Sequence, residues 1–509
     1  MKPKKKFLGL VGPQVTLLGQ TARPQPPIGL AYIFNAAAKA GWQPILFDSL
    51  AEGYEHFLEN TELGIRVTGL AADEVVKKIM EINPNAIGIS LGLSTDHDYV
   101  RILIERIRIA YTGPIILGGS QASLMHQEIL AGLPIERIPV DFVITGRDIG
   151  SGEKSTLRLL QALEGNGNFE KVPGIAFKQF GKVIVTKPVC VDESSLHLLE
   201  MPRRDLFAKR NGIDIYSFIN QSHTGPVDHL PYAVMHTSRG CGGACTFCHT
   251  QFGDFNRKLI RRSLANVFAE LEYLRSQGVR TISIEDDNFG GFTPAQLDFA
   301  DEVLEKIKNL NFQGLYFPNG MTIQSMINGN FHLIRKLREL ADYGIKIRNS
   351  IPAESADNHT LQHIIHKPHS VEDIDQLLKE LKDRYLTHEH IDLDVFFMVG
   401  VVGYDHKRQE FVREHENSMK VTLELADRTA NLGVRVNIWW MKPNPNGPQY
   451  KLWRQFNPGA PFSKLQFAFP PGIWGSEEDE LKWNGIIIAK NREMKELGVG
   501  SRRPIFQIK

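Results

Sequence analysis

Cys241, Cys245 and Cys248 are three of only four cysteines in a chain of 509 residues, and they fall within eight positions. The run reads Gly240-Cys241-Gly242-Gly243-Ala244-Cys245-Thr246-Phe247-Cys248, a Cys-x3-Cys-x2-Cys spacing. Thiolates at this density serve a soft metal or a cluster. Two chemistries fit the run. With the adjacent His249 it supplies a Cys3His set for a tetrahedral zinc ion. Without a fourth ligand it suits a [4Fe–4S] cluster in which three irons are held and one stays open. Cys190 is remote from the run and reads as an ordinary buried cysteine.

A second stretch that could do chemistry is Glu285-Asp286-Asp287-Asn288-Phe289, which follows the apolar segment Thr281–Ile284. Three acids in sequence are usually a solvated turn. Here they end a buried strand and run into Phe289, which favours a functional role over a turn. His363, His366, Lys367 and His369 form a further polar cluster, which the sequence presents as a surface turn.

The elements that must position these residues alternate. In the first 150 residues, short apolar strands begin at Phe7, Ile45, Ala86, Pro114 and Val140. Helical stretches lie between and after them, at Ile28–Ala40, Ala72–Ile82, His97–Ala110 and Gly152–Leu163. Apolar strands alternating with helices predict a doubly wound parallel sheet, Rossmann-like, which binds ligands beyond the carboxyl ends of its strands. Two glycine loops lie there, Gly92-Leu93-Ser94 and Gly118-Gly119-Ser120, and let a large flat ligand or a nucleotide tail approach the backbone. Residues 172–185 read as a hairpin about Gly181. From Tyr232 onward six strand–helix units follow, ending at Val434–Met441, an incomplete (β/α)6 barrel whose chemistry belongs at its carboxyl mouth. The expected division is 1–164, a connector 165–230, the barrel 231–450 and an extension 451–509. That extension is rich in aromatics, including Trp453, Phe467, Phe469 and Trp474, which suit core packing.

Composition narrows the function. With 59 basic and 58 acidic side chains the net charge is +1, so no basic surface advertises nucleic acid. No stretch reaches the roughly 18 apolar residues of a membrane span. The basic start, Met1 to Lys6, precedes too short an apolar run for a signal peptide. Clustered cysteines argue against a disulfide framework and for a reducing cytoplasm.

The cysteine spacing and its glycines resemble the radical S-adenosylmethionine (SAM) superfamily. The resemblance implies a [4Fe–4S] cluster on Cys241, Cys245 and Cys248, whose open iron chelates SAM. It also places Phe247 near the adenine. Glu285, Asp286 and Asp287 would meet the methionine amine. Ser350-Ile351-Pro352-Ala353-Glu354-Ser355 resembles the segment that brings a carboxylate, here Glu354 followed by Ser355, to the ribose hydroxyls. Gly400, in Phe397-Met398-Val399-Gly400-Val401-Val402-Gly403, matches a glycine turn near the adenine. Val402 and Tyr404 stand where the family usually has Pro and Glu.

The first domain resembles the cobalamin-binding domain of B12-dependent members, with Gly92, Leu93, Ser94, Gly118, Gly119 and Ser120 as its contacts. Arg147-Asp148-Ile149-Gly150 replaces the family's acidic Gly-Glu-Gly-Glu stretch. No Asp-x-His-x-x-Gly motif supplies an axial histidine. His97 begins a helix, so cobalamin is expected without a protein nitrogen on cobalt. The implied activity is reductive cleavage of SAM to a 5′-deoxyadenosyl radical and, through methylcobalamin, methylation of an unactivated carbon or phosphorus. A B12-binding cyclase or rearrangement enzyme is the alternative, and a non-enzymatic zinc-binding α/β protein a distant one. Expected partners are a small-molecule substrate (a peptide or lipid included) and an external electron donor such as flavodoxin or ferredoxin. No motif identifies which residue acts on the substrate.

Overall fold

The structure, a computed structural model, describes residues 5–17, 25–60, 65–146, 151–165, 167–188, 196–197, 199–207, 209–210, 213–217, 227–248, 258–386, 388–405, 408–443, 447–460, 462 and 474–496. Cys190, His249, Arg147 to Gly150, Phe467 and Phe469 lie outside the described residues.

The first domain is built on five parallel strands: β1 (Lys6–Val11), β2 (Gln43–Asp48), β3 (Ala86–Ser90), β4 (Ile115–Gly118) and β5 (Phe142–Ile144). Their order, 2-1-3-4-5, is the flavodoxin-like form of the doubly wound sheet. Apolar side chains explain it: Leu8, Ile87, Ile115 and Val143 are all fully buried under covering helices. The helix His97–Ala110 turns Val100, Leu103, Ile104 and Ile107 inward, a 3.6-residue stripe. The hairpin expected in the connector forms, as β6 (Ile175–Gln179) and β7 (Lys182–Val185). It pairs antiparallel with β5 and extends this sheet to seven strands. A separate antiparallel sheet of Gln14–Leu17, Ile65–Thr68 and Phe57–Asn60, absent from the sequence reading, lies beyond the carboxyl end of β1.

The second domain is a six-stranded parallel sheet in chain order, the partial barrel expected: β8 (Tyr232–Met235), β9 (Thr281–Ile284), β10 (Gly314–Phe317), β11 (Lys346–Glu354), β12 (Ile391–Val399) and β13 (Arg435–Trp440). A helix follows each of the first five strands. One of these, Ile323–Asp342, is broken at Asn328–Phe331 by four non-helical residues.

The domains are locked together by buried groups. Ile28, Ala31 and Tyr32 of the helix Ile28–Lys39 pack on Tyr232, Val234 and Tyr316 of the barrel. From the connector, Arg204 donates to Val234 O (2.5 Å) and to Glu270 (2.7 Å). Glu270 also takes Arg262 at 2.6 Å. The extension reaches back to the first domain, where Tyr450 donates to Glu136 at 2.8 Å and Phe462 stacks on His97 at 4.0 Å. The helix Glu477–Glu496 covers the free edge of β13. The Asn491 side chain exchanges two 3.0 Å bonds with the Ile438 backbone, satisfying an edge that would otherwise be unpaired. Among the described residues no helix is long and apolar enough to cross a membrane.

Candidate functional site

The cysteine run leaves the carboxyl end of β8 as a loop. Its base is closed by antiparallel pairing of Ser238 with Arg261 and Arg239 with Ile260. Gly240 and Gly242 sit at φ +77° and +60°, the left-handed region that glycine adopts without strain. A Cβ on Gly243 would stand 3.4 Å from Cys241 Sγ and 3.9 Å from Cys245 Sγ, so this glycine runs close to both sulfurs. All three thiols are half-buried. Burial pushes the Cys241 thiol up to about 12, the repulsion of Cys245, Cys248 and Asp287 adding to it. Burial also raises Cys245, although Lys367 pulls it back. Bare thiolates here are therefore costly, and a multiply charged cation would relieve that cost. Among the described residues no three His, Cys, Asp or Glu side chains converge on one metal ion. Soft thiol donors gathered on one half-buried loop are the ligand type of an iron–sulfur cluster, in which each would take a separate iron.

The acidic run after β9 divides into three roles. Asp286 is buried and braces the end of β8. It accepts Thr237 N at 2.6 Å and Ser238 Oγ at 2.7 Å, and the Thr237 hydroxyl as well. Asp287 accepts the Gly240 amide at 3.0 Å and so positions the cysteine loop. Burial raises the Asp286 carboxyl above its ordinary range, and it acts on Glu285 as well. Burial lifts its carboxyl to about 7, against the pull of Arg239.

The fourth and fifth strand ends complete the mouth. The register of β11 against β12 slips between Pro352 and Glu354, a bulge at the end of the strand. It leaves Glu354 at φ +67°. Glu354 then pairs with Lys367 Nζ at 2.9 Å, and the ammonium lies 5.4 Å over the Phe247 ring. Burial opposes the Lys367 charge, but Glu354, Cys245 and Cys248 outweigh it and hold the amine protonated. The sequence reading of this segment as a surface turn is therefore corrected. His363 and His366 are exposed, whereas Lys367 and His369 turn inward. Thr246 ties the cysteine loop to this segment through Ile365 O (3.1 Å) and Ile364 O (2.9 Å).

Ser355 is buried and faces the helix Glu416–Ala430, with its hydroxyl 3.2 Å from Thr422 Oγ1. Gly400 is at φ +67°, and a Cβ there would lie 2.4 Å from the Trp440 ring. Two more ionisable groups stand at these ends without a sequence signal that marks them. Glu414 is buried, accepts Val401 N at 3.0 Å, and is pushed by burial up to about 8. Lys442, just after β13, is brought by burial down to about 8.

In the first domain the glycine loops stand at the carboxyl ends of β3 and β4. Gly92, Leu93, Gly119 and Ser120 are exposed, and Gly92 faces open space. Ser94 is buried and donates to Gln121 Oε1 at 3.0 Å. Beside them, Gln121 Nε2, Thr145 Oγ1 and Ser155 Oγ are buried without hydrogen-bond partners. Orphaned polar atoms next to an open apolar and glycine platform fit a large ligand with polar appendages, as cobalamin has. The sequence reading missed Gln121, Thr145 and Ser155, which only the fold gathers. His97 is fully buried, with Nε2 3.0 Å from Glu136 O and its ring against Phe462.

The radical SAM superfamily model matches residues 235–415. The cytidylyl-2-hydroxyethylphosphonate methyltransferase of Streptomyces wedmorensis is 25% identical over 424 residues, 77% of this chain and 72% of that protein. Among solved structures, the radical SAM methyltransferase TsrM from Kitasatospora setae, with cobalamin and a [4Fe–4S] cluster bound, aligns with TM-score 0.60 at 15% identity. That alignment covers 89% of this chain and 78% of TsrM. The cobalamin-dependent SAM radical enzyme OxsB aligns with TM-score 0.61 at 16% identity, over 91% of this chain and 56% of OxsB. At these identities the two structures establish a shared fold.

Proposed function

We propose that this chain, whose residues 235–415 match the radical SAM superfamily model, is a cobalamin-dependent radical SAM methyltransferase acting on an unactivated carbon or phosphorus of a small-molecule substrate. One observation carries the reading: the chain joins a three-thiol glycine loop at the first strand end of a partial barrel to a 2-1-3-4-5 sheet with an open glycine platform. When bound, the cluster supplies one electron to the SAM sulfonium and cobalamin carries a methyl group.

The chain's own residues do the positioning. Cys241, Cys245 and Cys248 hold three irons. Asp287 and Thr246 fix their loop from opposite sides. Glu285 offers its carboxylate to the methionine amine, while Asp286 keeps β8 and β9 in register beneath it. Glu354, re-aimed by the bulge, faces the ribose. Gly400 lets the turn after β12 pack on the Trp440 ring, and this turn with Phe247 would bound the adenine. In the first domain Gln121, Thr145 and Ser155 offer hydrogen bonds to cobalamin's polar appendages. His97 is engaged by Glu136 O and the Phe462 ring, which supports cobalamin held without a nitrogen from this histidine.

The test is anaerobic reconstitution with iron, sulfide and cobalamin, then incubation with methyl-labelled SAM and candidate anionic or aromatic small molecules. Mass spectrometry should show 5′-deoxyadenosine and a product heavier by one labelled methyl group. A product formed with no added methyl would replace the reading with cyclisation or rearrangement. Absence of iron loading would remove it altogether.

A further inference from the structure

Lys367 is a buried cation that none of the roles above requires. Its side chain is 8% exposed. A lysine is rarely buried unless something on the spot holds its charge. Glu354 is one such partner, at 2.9 Å. The face of Phe247, one of the two residues between Cys245 and Cys248, is another, at 5.4 Å from the ring centroid. The segment that carries Lys367 is not free to move away from the cysteines. Thr246 bonds to both Ile364 O and Ile365 O. The Lys367 amide closes the turn by donating to Leu361 O at 2.7 Å. The cysteine loop thus grips the segment that brings an ammonium to its own sulfurs.

We infer that Lys367 is a positioning residue that sets the reduction potential of the cluster on Cys241, Cys245 and Cys248. The inference rests on the proposed function in one respect: a cluster must assemble on those thiols. Reduction adds one negative charge to the cluster. A fixed positive charge in a poorly solvated setting favours that added electron, and Glu354 offsets part of the effect. The pair is therefore a tuning device with opposed members. Removing the lysine charge makes the cluster harder to reduce. Removing the carboxylate charge makes it easier.

The experiment is redox titration of the reconstituted chain without SAM, followed by electron paramagnetic resonance of the reduced cluster. Wild type, Lys367→Met, Lys367→Arg and Glu354→Gln are compared at equal iron content. At a fixed poise the ratio of reduced to oxidised cluster should fall about tenfold in Lys367→Met, about 59 mV for one electron. Lys367→Arg should restore most of it, and Glu354→Gln should shift the midpoint the other way. A structural ion pair would lower thermal stability in Lys367→Met and Glu354→Gln while leaving the midpoint where it was, and that result overturns the inference. If Lys367→Met loads no iron, Glu354→Gln decides alone: a positive shift supports the inference and no shift overturns it. A wild-type chain that assembles no cluster overturns the function reading itself, an outcome distinct from equal midpoints in loaded variants.

Discussion

Glu285, Asp286 and Asp287 are neighbours in sequence and occupy three environments. That acids end β9 is legible from the sequence. Which acid does what is not, because it depends on Thr237, Ser238 and Gly240, which lie 47 to 49 positions earlier. Asp286→Ala should act mainly on stability. It strands the Thr237 amide and two hydroxyls in a buried site, a loss on the order of 3 kcal/mol, read as a lower melting temperature of the apo chain. An unchanged melting temperature would return Asp286 to direct contact with SAM. Glu285 should instead govern affinity. Its folded value of about 7 lies above the ordinary 4.5, so the carboxylate becomes available only as pH rises through about 7. SAM should bind more tightly at pH 8 than at pH 6. In Glu285→Gln the profile should be flat, with a loss of roughly 1.5–3 kcal/mol at pH 8. Calorimetry of SAM binding checks both, and a flat wild-type profile would dismiss the role.

The strands and helices themselves were the easiest elements to read. The helices Ala72–Ile82 and His97–Ala110 fall at their expected bounds because long apolar periodicity dictates both. The antiparallel sheet near β1 and the hairpin Val402–Asp405/Glu410–Arg413 escaped notice. Their strands are four residues long and mixed in character, so neither period shows. The segment 360–367 was misread for a different reason: its histidines look solvated, and its anchor on Thr246 lies 118 positions away.

The hairpin returns to Glu414, whose buried carboxyl has a folded value of about 8 against an ordinary 4.5. The folded chain holds this proton where the unfolded chain releases it, so the group costs stability as pH climbs from about 4.5 to 8. Melting temperature should fall less between pH 6 and pH 8 in Glu414→Gln than in wild type. Parallel curves for the two proteins would show that Glu414 is ionised in the fold. At the neighbouring turn, Gly400→Ala meets both the Trp440 ring and a left-handed φ. A destabilisation of about 1–3 kcal/mol is expected, with weaker SAM binding. Wild-type stability and affinity in that variant would show that Trp440 yields freely.

At the scale of the molecule, the fold places the three-cysteine loop and the open glycine platform in one chain and joins their two domains through buried charge. Arg204, Arg262 and Glu270 form a triad at the domain junction in which all three side chains are at most 8% exposed. Removing one partner of a buried pair costs about 3–5 kcal/mol. Arg204→Ala should therefore make the connector a site of rapid limited proteolysis. A digestion pattern identical to wild type would show that apolar packing alone holds the junction. The two-domain order was legible in the sequence because each domain announces its own strand–helix alternation. The docking was not, since its residues come from helix, connector and barrel, far apart in the chain.

The central claim is that one polypeptide holds both a three-cysteine cluster and cobalamin without a protein ligand on cobalt. Electron paramagnetic resonance of the anaerobically reconstituted, partly reduced protein tests it in one measurement. The account predicts a [4Fe–4S] signal that is lost in Cys241→Ala, Cys245→Ala and Cys248→Ala and kept in Cys190→Ala, together with a cob(II)alamin signal free of nitrogen splitting. Zinc in place of iron, no retained cobalt, or a nitrogen splitting that disappears in His97→Ala would contradict it.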